Sequence, residues 1–276
     1  MARFGQNRTV TSGGPAAVQP IRESPSYLKS GGGVRPLREC YDAEWIRVHG
    51  ARPSHKALAL MHANHDLLLF DLDGTLSDPL VGIGRSINYA LSHFGYESLE
   101  QSSISAYVGP QIDETFMSIT GVKEPRKVED LVSKYRERYA EVGFSENTLY
   151  PDIPEVLSKL AETNVPLAVC TSKRKDFAER ILEMFDLRGH FRFVSGGDVG
   201  IHKWQQIEGL KAMSAVSTSS VMIGDRAVDI TAAKRNGLFS AGVLWGHGSR
   251  SELEGECPNY LFASPTELHL LLKPTP

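Results

Sequence analysis

Asp71 and Asp73 stand one residue apart at the end of the apolar run Leu67-Leu68-Leu69-Phe70, and Gly74-Thr75-Leu76 follows. In an extended backbone both carboxylates point to the same side, and like charges so close are tolerated chiefly when a cation sits between or beside them. A second apolar run, Val221-Met222-Ile223-Gly224, ends in Asp225, with Asp229 in the stretch that follows. An acid at a helix start can also serve the helix dipole, a reading that stays open for Asp229 more than for Asp225. Thr171-Ser172 closes a third apolar run, Leu167-Ala168-Val169-Cys170. At a helix N-terminus hydroxyls and free N–H groups can grip an anion, or they can simply cap the helix.

These residues need a scaffold that gathers strand ends. Short, wholly apolar runs are the mark of strands buried on both faces, as in parallel sheets, whose ligands bind at the carboxyl ends. Strands are expected near 67–70, 166–171, 191–195, 220–224, 239–244 and 260–262, alternating with helices at 173–184, 203–213, 227–236 and 265–272. Such alternation predicts an α/β fold with a doubly wound parallel sheet. After Asp78-Pro79 the pattern turns helical, with Ile83, Ile87, Ala90, Leu91 and Phe94 on one face and a stop at Gly95. Further helical segments are expected near 102–108, 111–119 and 125–142, so residues 79–148 form a helical insertion between 63–78 and 149–276.

The chain of 276 residues is 41% apolar, enough for one full core and a smaller second domain. Its net charge of −3 gives no reason to expect a nucleic-acid partner. The charge is uneven, however. Residues 1–65 carry nine Lys and Arg against four Asp and Glu, and residues 66–276 carry 21 against 29. Residues 1–62, rich in Gly, Pro, Ser and Arg, read as a disordered leader, and Met61 offers an alternative start. No run approaches the roughly 18 apolar residues of a membrane span. Cys40, Cys170 and Cys257 suit a reducing, cytoplasmic setting without a disulfide framework.

Asp71-Leu72-Asp73-Gly74-Thr75, followed by Leu76-Ser77-Asp78, resembles the Asp-x-Asp-Gly-Thr signature of the haloacid dehalogenase superfamily, in its phosphoglycolate phosphatase-like and 5′-nucleotidase-like branch. Lys203 and the Gly224-Asp225 stretch resemble the third and fourth motifs of that family, in the expected order. Phosphate-monoester hydrolysis is among the slowest uncatalysed biological reactions, so several devices must act together. The resemblance implies that Asp71 is the nucleophile, forming an aspartyl-phosphate, and that Asp73 is the general acid and then the base. Thr171 and Ser172 would hold the phosphoryl group, and Lys203 would neutralise it. Asp71, the Asp73 carbonyl and Asp225 would hold Mg²⁺, and Asp229 would ligate it or orient a bound water. The helical insertion would be a cap, with the turn Tyr107-Val108-Gly109-Pro110-Gln111 presenting Gly109 to substrate, although an ordinary interhelical turn fits that stretch equally.

The expectation is therefore a Mg²⁺-dependent phosphatase acting on a small phosphorylated metabolite, as a monomer or homodimer. A sugar phosphomutase, a 5′-nucleotidase or an inactive phosphate-binding protein are the alternatives. The family often has Pro after the motif Lys where this chain has Trp204, and Lys211 is a less well placed substitute for Lys203. His202 is expected at the surface. Trp245-Gly246-His247-Gly248 is expected to be a turn packing beside the site, with His247 a candidate substrate contact.

Overall fold

A computed structural model describes residues 64–272. The leader at 1–62, with its Met61 start, lies outside the described residues. Six parallel strands form the central sheet, in the order β5-β4-β1-β6-β7-β8. They are β1 (Leu68–Phe70), β4 (Leu167–Arg174), β5 (Phe191–Gly197), β6 (Val221–Gly224), β7 (Phe239–Val243) and β8 (Tyr260–Phe262). β1 is central, with Phe70 in register with Val169 on one side and Ile223 on the other.

The strands are apolar throughout because both faces are covered. Leu68 and Phe70 join a core built with α4 (Ile153–Ala161) and α5 (Lys175–Met184), while Leu67 and Leu69 join the opposite core with α6 (Lys203–Ala212) and α7 (Ala227–Asn236). Leu68, Leu69 and Phe70 are fully buried, each stabilising the fold by roughly 1.5–3 kcal/mol. The chain leaves β1 for β4 and β5 on one side and returns to β6 on the other. This reversal opens the crevice at the carboxyl ends of β1, β4 and β6.

A short antiparallel pair, β2 (Ser77–Asp78) and β3 (Thr148–Leu149), brackets a helical insert. It contains α1 (Leu80–His93), a 3-10 helix at Gln101–Tyr107, α2 (Ile112–Thr120) and α3 (Pro125–Glu141). On α3, Val128, Leu131, Val132, Tyr135 and Tyr139 recur at helical spacing and form one buried stripe. That stripe packs with Ile83, Ile87 and Leu91 of α1, and Phe177 of α5 completes the cluster.

The structure departs from the sequence expectation in several places. α4 and α8 (Arg250–Gly255) were not expected, and 101–107 and 265–271 are 3-10 rather than α helices. β4 runs on to Arg174 with a register irregularity after Thr171, so α5 begins at Lys175. Cys170 is a buried free thiol whose pKa burial pushes up to about 12. Among the described residues no helix is long and apolar enough to cross a membrane.

Candidate active site

The loop after β1 is wound tightly. The N–H groups of Thr75, Leu76 and Ser77 all point at the Leu72 carbonyl, and Gly74 N–H donates to Ser77 O at 2.8 Å. Gly74 takes φ +81°, and a Cβ there would collide with the Asp225 carboxylate. Glycine thus serves twice, for its conformation and for the approach of β6.

Asp71, Asp225 and Asp229 are brought together and buried, each offering one oxygen within 4.8 Å of the others. Asp71 Oδ1 accepts from Leu72 N–H at 2.8 Å, and its Oδ2 lies 2.9 Å from Lys203 Nζ. Lys203 also donates to Asp229 Oδ1, and Asp229 Oδ2 accepts from Arg226 N–H at 3.0 Å. Burial acts to lower the pKa of this lysine, but the Asp229 and Asp71 carboxylates outweigh it and hold the ammonium charged. Asp225 is placed differently. Its Oδ2 accepts from His247 N–H at 2.8 Å, its Oδ1 from the Thr75 hydroxyl at 3.4 Å, and it forms no ion pair among the described residues. Burial, with the charges of Asp229 and Asp71, raises its pKa well above the ordinary carboxylate range.

Asp73 lies beside this cluster. Its Oδ2 is 2.8 Å from Lys173 Nζ, while Oδ1 is buried with no hydrogen-bond partner. Burial raises its pKa and Lys173 opposes that rise. Four enclosed carboxylates thus share two ammoniums, Lys203 and Lys173, and Asp225 touches neither. A buried anionic excess of this kind, made of oxygen donors alone, fits a hard divalent cation such as Mg²⁺.

A cavity of about 80 Å³ reaches Asp71, Asp73, Thr171, Ser172 and Gly109, with Tyr135, Tyr139 and Phe177 among its walls. Thr171 and Ser172 do not start a helix as expected. They sit in the irregular end of β4, where Thr171 Oγ1 accepts from Lys173 N–H at 3.2 Å and so shapes the turn. Gly109, at φ +103°, packs against the Arg226 side chain, and Arg226 also donates to the Val108 carbonyl. Gln111 Oε1 accepts from Gly200 N–H at 3.0 Å, tying the same turn to the loop before α6.

Lys211 makes no ion pair with the acidic cluster among the described residues; its ammonium donates to the Asn236 carbonyl at 2.6 Å. Trp204 instead lies under the Arg235 guanidinium, 3.9 Å from the ring centre. His202 is exposed, as expected. His247 is not among the residues that line the cavity, and its contacts are within the chain. Besides its N–H bond to Asp225, its ring joins Asp78 Oδ1 at 3.1 Å to the Ser105 hydroxyl at 3.0 Å. Lys173 and Tyr139 were missed by the sequence reading, although Lys173 directly follows Thr171-Ser172.

The profile of the haloacid dehalogenase-like hydrolases matches residues 68–243, more than half of the chain. The chain belongs to this family. A 5′-nucleotidase of Pseudomonas aeruginosa is 36% identical over 210 residues, which cover 75% of this chain and 95% of that protein. A phosphoglycolate phosphatase of Aquifex aeolicus is 29% identical, covering 75% and 96%. The crystal structure of a predicted phosphatase from Clostridium acetobutylicum superposes with a TM-score of 0.71 at 34% identity, covering 74% of this chain and 96% of that one. The chain is a phosphatase of this family, a phosphoric monoester hydrolase.

Proposed function

We propose that this protein is a Mg²⁺-dependent phosphatase that hydrolyses a small phosphomonoester through an aspartyl-phosphate on Asp71. The observation that carries the reading is the pairing of two unlike carboxylates in one cavity: Asp71, compensated by Lys203, and Asp73, with one oxygen left without a partner. Asp71 attacks phosphorus as the bond to the leaving oxygen breaks, and Asp73 gives that oxygen its proton. Asp73 then takes a proton from the water that attacks the aspartyl-phosphate, which restores Asp71. Lys203 offsets the negative charge that gathers on Asp71 and the phosphoryl oxygens. Thr171 and Ser172 line the cavity and are positioned to hold the phosphoryl group.

Mg²⁺, held by Asp71, Asp225 and Asp229 with the Asp73 carbonyl, would supply charge neutralisation for the phosphoryl group. Residues 63–78 and 149–276 are read as the catalytic core, and residues 79–148 as a cap over it. The small-ester reading rests on the likeness to a phosphoglycolate phosphatase.

The test is a phosphatase screen, with and without Mg²⁺, in which C2 and C3 phosphoesters are compared with nucleoside 5′-monophosphates. Mg²⁺-dependent release of phosphate, fastest with the small esters, is the expected result. A preference for nucleotides would move the reading to the activity named for the Pseudomonas relative. No turnover of any ester would leave a phosphate-binding protein.

A further inference from the structure

The Asp73 carboxylate is not held by the sheet alone. Lys173, at the irregular end of β4, pairs with Asp73 Oδ2 at 2.8 Å and donates to the Tyr139 hydroxyl at 2.7 Å. Tyr139 belongs to α3 of the helical insert and is 1% exposed. Its ring lies 4.4 Å from the same ammonium, stacks on Tyr135 at 5.4 Å and meets Phe177 edge-on at 5.1 Å.

A lysine ammonium is a mobile point charge on a four-carbon stem, and in a cavity that takes phosphate it has an alternative partner in the substrate. The Tyr139 hydroxyl and ring face fix it on the Asp73 side. With Oδ2 occupied by Lys173, Oδ1 is the oxygen left to carry the transferred proton. In the first half-reaction the Oδ1 proton goes to the ester oxygen as the P–O bond breaks. In the second, Oδ1 recovers a proton from water as the water oxygen bonds to phosphorus.

We propose that Tyr139 is a positioning residue that acts through Lys173 to aim Asp73, so that the acid/base is fully assembled only when the insert is seated on the sheet. The inference rests on the reading of Asp73 as the acid and base. The Lys173–Tyr139 pair joins the two parts of the structure at the one side chain whose direction decides proton transfer.

The experiment measures kcat and KM in Mg²⁺ for an alkyl phosphate and for p-nitrophenyl phosphate, whose leaving group needs no proton. The proteins are wild type, Tyr139→Phe, Lys173→Met, the double variant and Asp73→Asn. Tyr139→Phe keeps the ring and its packing and removes only the hydroxyl. General acids contribute on the order of 10²–10⁴ in rate, so mis-aiming one should lower kcat/KM, which reports the first half-reaction, for the alkyl ester by about tenfold or more, with a much smaller loss of kcat/KM for p-nitrophenyl phosphate, whose kcat falls only through the second half-reaction. The double variant should be no worse than Lys173→Met, since Tyr139 acts through that lysine.

Equal losses of kcat/KM on both substrates would overturn the proposal, as would additive losses in the double variant. Asp73→Asn separates the two layers. If it shows the leaving-group dependence and Tyr139→Phe does not, only the positioning role fails. If Asp73→Asn shows none, the reading of Asp73 as the acid fails. Should Tyr139→Phe lose its cooperative melt, Lys173→Met carries the same comparison.

Discussion

The Lys203 ammonium stands 2.9 Å from Oδ2 of Asp71 and at the same time holds Asp229, so one cation at the start of α6 compensates acids from β1 and α7. All three side chains are buried. Removing one partner of such a group leaves charge without compensation, at a typical cost of about 3–5 kcal/mol. Lys203→Met should therefore lower both the melting temperature and kcat, the latter by about a hundredfold or more. Lys211→Met, which loses only a bond to the Asn236 carbonyl, should keep near-normal turnover. The reverse outcome in paired melting and turnover measurements would transfer the motif to Lys211.

Asp71→Asn tests the nucleophile. The amide keeps the shape of the side chain and can still accept from Lys203, but it cannot attack phosphorus. The variant should melt cooperatively and retain less than about a hundredth of wild-type turnover. Acid-quenched wild-type protein should carry phosphate, and the variant none. Turnover near the wild-type level in a folded Asp71→Asn protein would exclude the aspartyl-phosphate route.

His65 gives a pH dependence of stability remote from the acidic cluster. It is 6% exposed and packs edge-on against Phe239 and Tyr260, with Nε2 at 3.0 Å from the Tyr260 hydroxyl. Burial lowers its pKa, against the pull of the Ser219 carbonyl and Asp66. The folded state therefore disfavours the imidazolium. The contribution of neutral His65 is fully present above its unfolded value of about 6.5 and is lost as pH falls from there through the lower folded value. Thermal melts from pH 7.5 down to 5 should show wild type losing more stability than His65→Gln. Parallel curves for the two proteins would show that His65 does not titrate in this window.

Much of the site could be read along the chain because its acids end strands whose apolar runs are unmistakable. Leu67–Phe70 and Val221–Gly224 are buried on both faces, so nothing but position at a sheet edge explains Asp71 and Asp225. The insert was legible for a similar reason, since the α3 stripe keeps its helical spacing from Val128 to Tyr139. That same regularity hid the Tyr139 hydroxyl, which reads as one more core ring until α5 and β4 are packed against it. Lys173 was hidden by local backbone. A strand that stopped at Thr171 would leave Lys173 to open a helix, whereas the irregular extension of β4 carries it to Asp73. The two ring contacts of His247 depend on Ser105 and Asp78, which meet only in the folded chain.

Asp225 decides the metal question without recourse to activity. It is fully buried, forms no ion pair among the described residues, and has its pKa raised well above the ordinary range by burial and by its acidic neighbours. In metal-free protein it is therefore a source of destabilisation, and a bound divalent cation should relieve it. At a concentration of one hundred times Kd, a ligand that binds only the folded state adds about 2.7 kcal/mol, so Mg²⁺ should raise the melting temperature of EDTA-treated wild type by several degrees. Asp225→Asn removes the buried charge and keeps an acceptor for the His247 N–H bond. Its metal-free form should melt above metal-free wild type, and Mg²⁺ should move it little, while turnover falls to near zero. The two variables thus change in opposite directions, which a merely disrupted fold would not produce. An Asp225→Asn protein that melts lower than wild type in EDTA and still gains the full Mg²⁺ shift would show that the cation is held elsewhere.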